Sequence, residues 1–166
     1  PIFLKGVSMH EESLGRDPAR FLGADGAREQ LSIIKRDLGG NYVRLAHYPH
    51  AEETLRAADE MGLLVWSEIP IYWDIAFSDP DVLLDARTML CDNIMRDRNR
   101  SAVVVWSVAN ETPTTPERNA FLSTLIGDVR RLDSGRLVAL ASHQNRQLGD
   151  VVMVDDPLAE KVDLLA

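Results

Sequence analysis

The 166-residue sequence holds a single cysteine, Cys91, so no disulfide can form within it. A lone thiol on a helical pattern is expected to be a buried structural group rather than a nucleophile. Basic residues are also short. Eighteen Lys and Arg stand against 26 Asp and Glu, a formal net charge of −8, which argues against nucleic acid or an anionic membrane surface as the main partner and leaves a neutral sugar open. No apolar run is long enough to span a bilayer. No signal peptide is visible, so the compartment stays open, with the cytoplasm favoured. The first residues, Pro1-Ile2-Phe3-Leu4, lack an initiator Met, and the sequence is expected to be a piece of a longer protein. There is no Gly-x-Gly-x-x-Gly turn after the first apolar segment and no glycine-rich phosphate loop, which weakens any dinucleotide or nucleotide reading.

What is present fits one soluble globular domain spanning residues 1–166, with 45% apolar and 27% charged residues. The most informative stretch is Ala102-Val103-Val104-Val105-Trp106-Ser107-Val108-Ala109-Asn110-Glu111. β-Branched residues favour an extended chain, and a continuous apolar run suits a strand buried on both faces of a parallel sheet. Thr112 and Pro113 stop it, which places Asn110 and Glu111 at the carboxyl end of a central strand, where parallel α/β folds keep their chemistry. Taken alone, the stretch leaves two readings open: Glu111 as a catalytic carboxylate, or as a cap or ion-pair partner of a loop.

The remaining pattern alternates strand and helix. Ile2 to Val7 leads into a first strand ending near Ser8, followed by a polar loop with Gly15, Asp17-Pro18, Gly23 and Gly26 as breakers. The periodicity predicts a helix over Ala27–Leu38 with Leu31, Ile34 and Leu38 on one stripe, a strand over Tyr42–Ala46, and a helix over Glu52–Met61. A strand over Leu63–Trp66 and a helix from Asp81 to about Arg98 follow. After the central strand, Thr114 or Thr115 caps a helix with Pro116 in its first turn. A fifth strand over Leu137–Ala141, a short apolar segment at Val151–Val154 and the start of a sixth strand at Val162–Ala166 complete the series. Such alternation means right-handed parallel crossovers. With polar residues recurring at strand ends, the expected fold is α/β: an incomplete (β/α)8 TIM barrel of about the first five to six βα units. A doubly wound open sheet is the alternative.

Four segments together resemble the catalytic barrel of family 2 glycoside hydrolases, the group of β-galactosidases, β-glucuronidases and β-mannosidases. Gly6-Val7-Ser8-Met9-His10-Glu11 is similar to that family's Gly-Val-Asn-x-His-Glu, with Ser8 in place of the usual Asn. Asn41 to Pro49 is similar to its Asn-x-x-Arg-x-Ser-His-Tyr-Pro. Ala57 to Glu68 resembles its Asp-x-x-Gly segment ending in Glu. Asp97 to Glu111 resembles its Asn-His-Pro-Ser-Val-Ile-x-Trp-Ser-x-Gly-Asn-Glu. The resemblance implies a retaining β-glycosidase. Under it Glu111 is the general acid/base, Asn110 binds the sugar 2-hydroxyl, and His10 and His47 contact sugar. Arg44 supports the acidic centre, and Glu68 is an acidic residue at the third strand end. The segment Trp66 to Trp73 leans, as a resemblance, toward the β-glucuronidase-like branch. The family's nucleophile motif, a Thr-Glu-x-Gly near the seventh strand, does not occur, so the nucleophile is expected beyond this chain and the fragment is expected to be inactive alone.

Tyr72 and Trp73, in the loop after the third strand, are candidate sugar platforms, or surfaces packed against another domain. Trp106 is expected in the core. His50 and His143 carry no assignment. Two further readings compete. His10, His47, Glu68 and His143 could ligate a divalent metal in a metal-dependent barrel hydrolase, although no His-x-His or His-Glu-x-x-His spacing occurs. Alternatively, the chain is a carbohydrate-binding fragment without complete catalysis. No cofactor is expected; a structural Mg²⁺ or Na⁺, known near the site in some family members, lacks support because Tyr72 stands where an acidic ligand is expected. The expected partner is a β-glycoside, with a homo-oligomer as one way to cover an open sheet edge.

Overall fold

The computed structural model describes residues 1–13, 19–143 and 155–166. The expected breakers at Gly15 and Asp17-Pro18, and the apolar segment Val151–Val154, lie outside the described residues. Six strands form one parallel sheet: β1 (Gly6–Met9), β2 (Tyr42–Leu45), β3 (Leu64–Glu68), β4 (Val103–Thr112), β5 (Leu137–Ser142) and β6 (Leu164–Leu165). The crossovers carry α1 (Gly23–Ser32), α2 (Glu52–Met61), α3 (Pro80–Asp97) and α4 (Pro116–Leu132). Strand order in space is strand order in sequence, β1 through β6. A doubly wound sheet reverses direction at a switch point. Among the described residues this sheet does not, and it is open between β1 and β6, which is the incomplete barrel.

Each element follows from its residues. In α2 the stop is Gly62, whose φ of 64° is costly for any residue with a Cβ, and Leu63 N–H donates back to Ala58 O at 3.0 Å. In α4, Thr115 accepts from Arg118 N–H at 3.1 Å and Pro116 occupies the first turn, where a missing N–H costs nothing. In α3, Asp79 plays the same capping part toward Asp81 N–H. Gly6 has a different constraint: a Cβ there would fall 1.9 Å from the Tyr42 carbonyl oxygen, so β1 and β2 meet only because position 6 is glycine.

Val43, Leu45, Val65, Val103, Trp106, Val108, Val138 and Leu140 pack the sheet against Leu31, Leu55, Leu90, Ile94, Leu122 and Leu125 of the helices. Trp106 is fully buried and donates its indole N–H to Asp133 Oδ2 at 3.0 Å, a core residue as expected. Trp66, Val105 and Ala139 form a second, smaller cluster with Tyr42 and Leu164. In β3, Val65 and Trp66 therefore fall to different clusters, as the alternation of a strand requires.

Three local expectations need correction. Gly23 and Gly26 do not break the chain; Gly23 opens α1 and Gly26 lies within it. Leu38 is not on the buried stripe but 61% exposed. Its N–H bonds to Ile33 O at 3.0 Å, closing a π-helical turn over Ile33–Asp37. Five-residue spacing widens the turn, so a stripe continued from Leu31 and Ile34 at α-helical spacing misses Leu38. Cys91 is half-buried on α3 rather than buried.

Candidate active site

The polar residues at the carboxyl ends of β1 to β4 converge. Glu68, the last residue of β3, has a side chain only 2% exposed. Its Oε1 accepts from Arg44 Nε on β2, and its Oε2 lies 2.8 Å from His47 Nδ1. Arg44 also donates from Nη2 to Asn110 Oδ1 at 2.6 Å, and its guanidinium carbon sits 5.2 Å above the Trp66 ring. One carboxylate, one cation and one amide thus tie three adjacent strands together.

The proton positions follow from donor and acceptor chemistry. A guanidinium only donates, so Asn110 must turn its carbonyl oxygen to Arg44 and leave its NH₂ group to face the cavities it lines. An ionised Glu68 only accepts, so His47 carries its proton on Nδ1 and keeps Nε2 for other partners. The 3.5 Å approach of Arg44 Nη2 to that same Nδ1 is then not a hydrogen bond, because both groups are donors.

The loop after β3 is stitched to the end of β4. Asn110 N–H donates to Ile71 O at 2.8 Å and Trp73 N–H to Asn110 O at 3.1 Å. Tyr72 and Trp73 are thereby presented 39% and 65% exposed, in an edge-to-face pair 5.5 Å apart. Glu111 interrupts the nearly continuous burial of β4. Its φ of 50° lies in the left-handed region, which costs a residue with a side chain about 1 kcal/mol, and it is exposed between buried Asn110 and Thr112.

Two cavities meet at Asn110 and Glu111. One, of about 540 Å³, is lined by Arg44, Ala141, Ser142, His143 and Ala166 as well. The other, of about 340 Å³, is lined by His10, His47, Tyr48, Tyr72 and Trp73. His10 stands edge-on to His47 at 5.3 Å. All eight residues singled out in the sequence are brought to this end of the sheet: seven line one or both cavities, and Glu68 lies beneath them, bound to Arg44 and His47. The metal reading loses its carboxylate, since both Glu68 oxygens are taken by Arg44 and His47. Among the described residues no three His, Cys, Asp or Glu side chains gather as one donor set.

Other residues gain a place that sequence reasoning had not given them. Glu11 is buried and accepts from Ala51 N–H and Thr54 Oγ1, capping α2 from outside the helix. His143 enters the larger cavity. His50 is buried, bonded through Nε2 to Ala46 O at 3.1 Å, and burial pushes its imidazole below the ordinary histidine range. Arg118 is fully buried behind Thr112. The available signal for it was a charge on the apolar stripe of α4, in step with Leu122, Leu125 and Val129.

The arrangement matches known proteins. Residues 1–162 match the family described as glycosyl hydrolases family 2, TIM barrel domain. The chain is 33% identical to β-glucuronidase of Sus scrofa over 171 residues, covering 93% of this chain and 25% of that protein. It is 32% identical to β-glucuronidase of Paenibacillus borealis over 152 residues, covering 83% of this chain and 25% of that protein. An FMN-binding β-glucuronidase from Facaelibacterium prausnitzii L2-6 superposes with a TM-score of 0.85 at 26% identity, over 98% of this chain and 24% of that chain. The chain therefore spans about a quarter of the length of these relatives.

Proposed function

The chain belongs to glycosyl hydrolase family 2 and is β-glucuronidase-like, and on that premise we propose that it is the N-terminal part of the catalytic barrel of a retaining β-glycosidase. The longer protein hydrolyses terminal β-glycosidic bonds, with a β-glucuronide as the first substrate to try and a β-galactoside next. Glu111 is the general acid/base. Retention requires a second carboxylate about 5–5.5 Å away as nucleophile, and that glutamate comes from beyond this chain. The missing βα units close the sheet between β1 and β6, and a second copy is the alternative cover.

The observation that carries this reading is the placement of Asn110 and Glu111 between two cavities, with the Asn110 carbonyl oxygen engaged by Arg44 so that its NH₂ is the end left to donate elsewhere. Asn110 donates to the sugar 2-hydroxyl, a bond that strengthens as the ring gains oxocarbenium character. Glu111 protonates the leaving oxygen and then deprotonates the attacking water. His10 and His47 contact sugar hydroxyls, His47 through Nε2. Arg44 and Glu68 hold Asn110 and His47 in place, and Tyr72 and Trp73 offer faces for stacking. No cofactor has a part in this chemistry.

The test compares the full-length protein with its Glu111→Gln variant on a panel of 4-nitrophenyl β-glycosides, with and without EDTA. The variant is expected to lose about 10²- to 10⁴-fold in rate on the glycoside that is hydrolysed, and EDTA is expected to change little. Full activity in the variant would remove Glu111 from the mechanism. Abolition by EDTA would return the histidines to a metal site.

A further inference from the structure

We propose that Arg118 is a positioning residue for Glu111, acting through Thr112; this rests on the reading of Glu111 as the proton donor. Arg118 sits in the first turn of α4 and has no exposed side-chain surface. Its Nη1 and Nη2 pair with Asp156 Oδ1 and Oδ2 at 2.9 and 2.8 Å, and Nη1 also reaches Asn119 Oδ1 at 2.9 Å. Asp156 in turn accepts from Leu158 N–H at 2.9 Å and Ser142 Oγ at 3.3 Å. Burial opposes the charge on Asp156, but the hydrogen bonds from Arg118, Leu158 N–H and Ser142 together with the Arg118 charge outweigh it and hold the carboxyl below its usual range. This pair fixes the guanidinium. Its remaining arm, Nε, donates to Thr112 Oγ1 at 2.8 Å.

Thr112 is the residue after Glu111, is fully buried, and pairs across the sheet with Ser142. On the other side of Glu111, Asn110 is fixed through its N–H, its carbonyl and its side chain. Glu111 is thus a left-handed residue strung between two anchored neighbours, and its carboxylate direction is set by torsions those neighbours impose. Without the Thr112 anchor the segment is free to relax toward ordinary strand torsions, and the carboxylate swings away from the glycosidic oxygen. A donor displaced by about 1 Å loses on the order of 10²-fold in rate. A buried charge pair is an expensive way to fill this space, and its hydrogen bond through Arg118 Nε ends beside the proton donor.

The experiment uses the full-length protein with Thr112→Val, which keeps the shape and removes the hydroxyl, and Thr112→Ala as a second hydroxyl deletion should the valine variant not fold. The readout is kcat/KM, which reports bond breaking, on phenyl and on 2,4-dinitrophenyl β-glucuronide. Phenoxide leaves only with a proton, whereas 2,4-dinitrophenoxide leaves without one. The expected result is a loss of about tenfold or more on the phenyl substrate and less than about twofold on the dinitrophenyl substrate, with Thr112→Ser rescuing the phenyl rate. Equal losses on both substrates would make the contact merely structural and overturn the proposal, as would no loss on either. A wild-type protein inactive on both substrates would refute the β-glucuronidase reading itself and this inference with it.

Discussion

Replacing Glu68 by Gln removes one charge from a buried centre and almost none of its shape. The carboxylate now neutralises Arg44, whose side chain is 19% exposed, and accepts from His47 Nδ1 at 2.8 Å. A glutamine can keep both contacts. Its oxygen accepts from Arg44 Nε, and its NH₂ faces His47 Nδ1, which must then become the acceptor and pass its proton to Nε2. What is lost is the charge pairing. Breaking a buried pair by removing one partner costs about 3–5 kcal/mol; the retained hydrogen bond and the partial exposure of Arg44 reduce this to about 2–3 kcal/mol. At 1.4 kcal/mol per tenfold, amides of β2 to β4 that open through this centre should lose protection by about 30- to 140-fold in hydrogen exchange on the full-length protein. The altered tautomer turns His47 Nε2 from acceptor to donor at the cavity, so kcat/KM on the hydrolysed glycoside should also fall, by about tenfold or more. Wild-type protection in β2 and β4 would refute the reasoning, because Arg44 would then be satisfied without Glu68.

Glu11→Ala strips the cap from α2, leaving Ala51 N–H and Thr54 Oγ1 without their acceptor, and should weaken the α2 amides by about 2 kcal/mol, whereas Glu11→Gln should cost under about 1 kcal/mol; equal protection in the alanine variant would show the cap to be idle. Stability should fall in two stages as pH drops. His50 has a folded pKa depressed by burial, so the unfolded chain binds its proton first, and stability declines as pH falls below about 6.5, a stage that His50→Gln should abolish in pH-dependent thermal unfolding. Asp128, Asp133 and Asp156 are also held low, by arginine and other hydrogen bonds that outweigh burial; their contribution is present above about pH 4 and is lost as pH falls further. Trp73→Ala, at an exposed site, should leave stability within about 0.5 kcal/mol while raising KM; an unchanged KM would end its role as a platform.

The order of elements was readable from the sequence because their signals are local. α2 runs from Glu52 to Met61 as its stripe and Gly62 demand, and Thr115-Pro116 marks the start of α4. Asn110 and Glu111 were placed at a strand end by the valine run before them and the Pro113 after. The local patterns did not contain the π-helical turn that expels Leu38, because whether a turn closes on the fourth or the fifth residue is decided by packing rather than by residue preference.

The sequence by itself determined the helix stripes, the caps and the strand-end positions of the candidate site, since these depend on periods of two and 3.6 residues and on the torsions that glycine and proline permit. Tertiary structure alone decided which polar groups became partners. Glu68 accepts from Arg44 on β2 and from His47 in the loop after it, Glu11 caps a helix 40 residues further on, and Arg118 reaches Asp156 across 38 residues. The Glu68 contact sets the tautomer of His47 and the Arg44 contact the orientation of the Asn110 amide, because each is fixed by a donor or acceptor that only the side-by-side packing of parallel strands brings within reach.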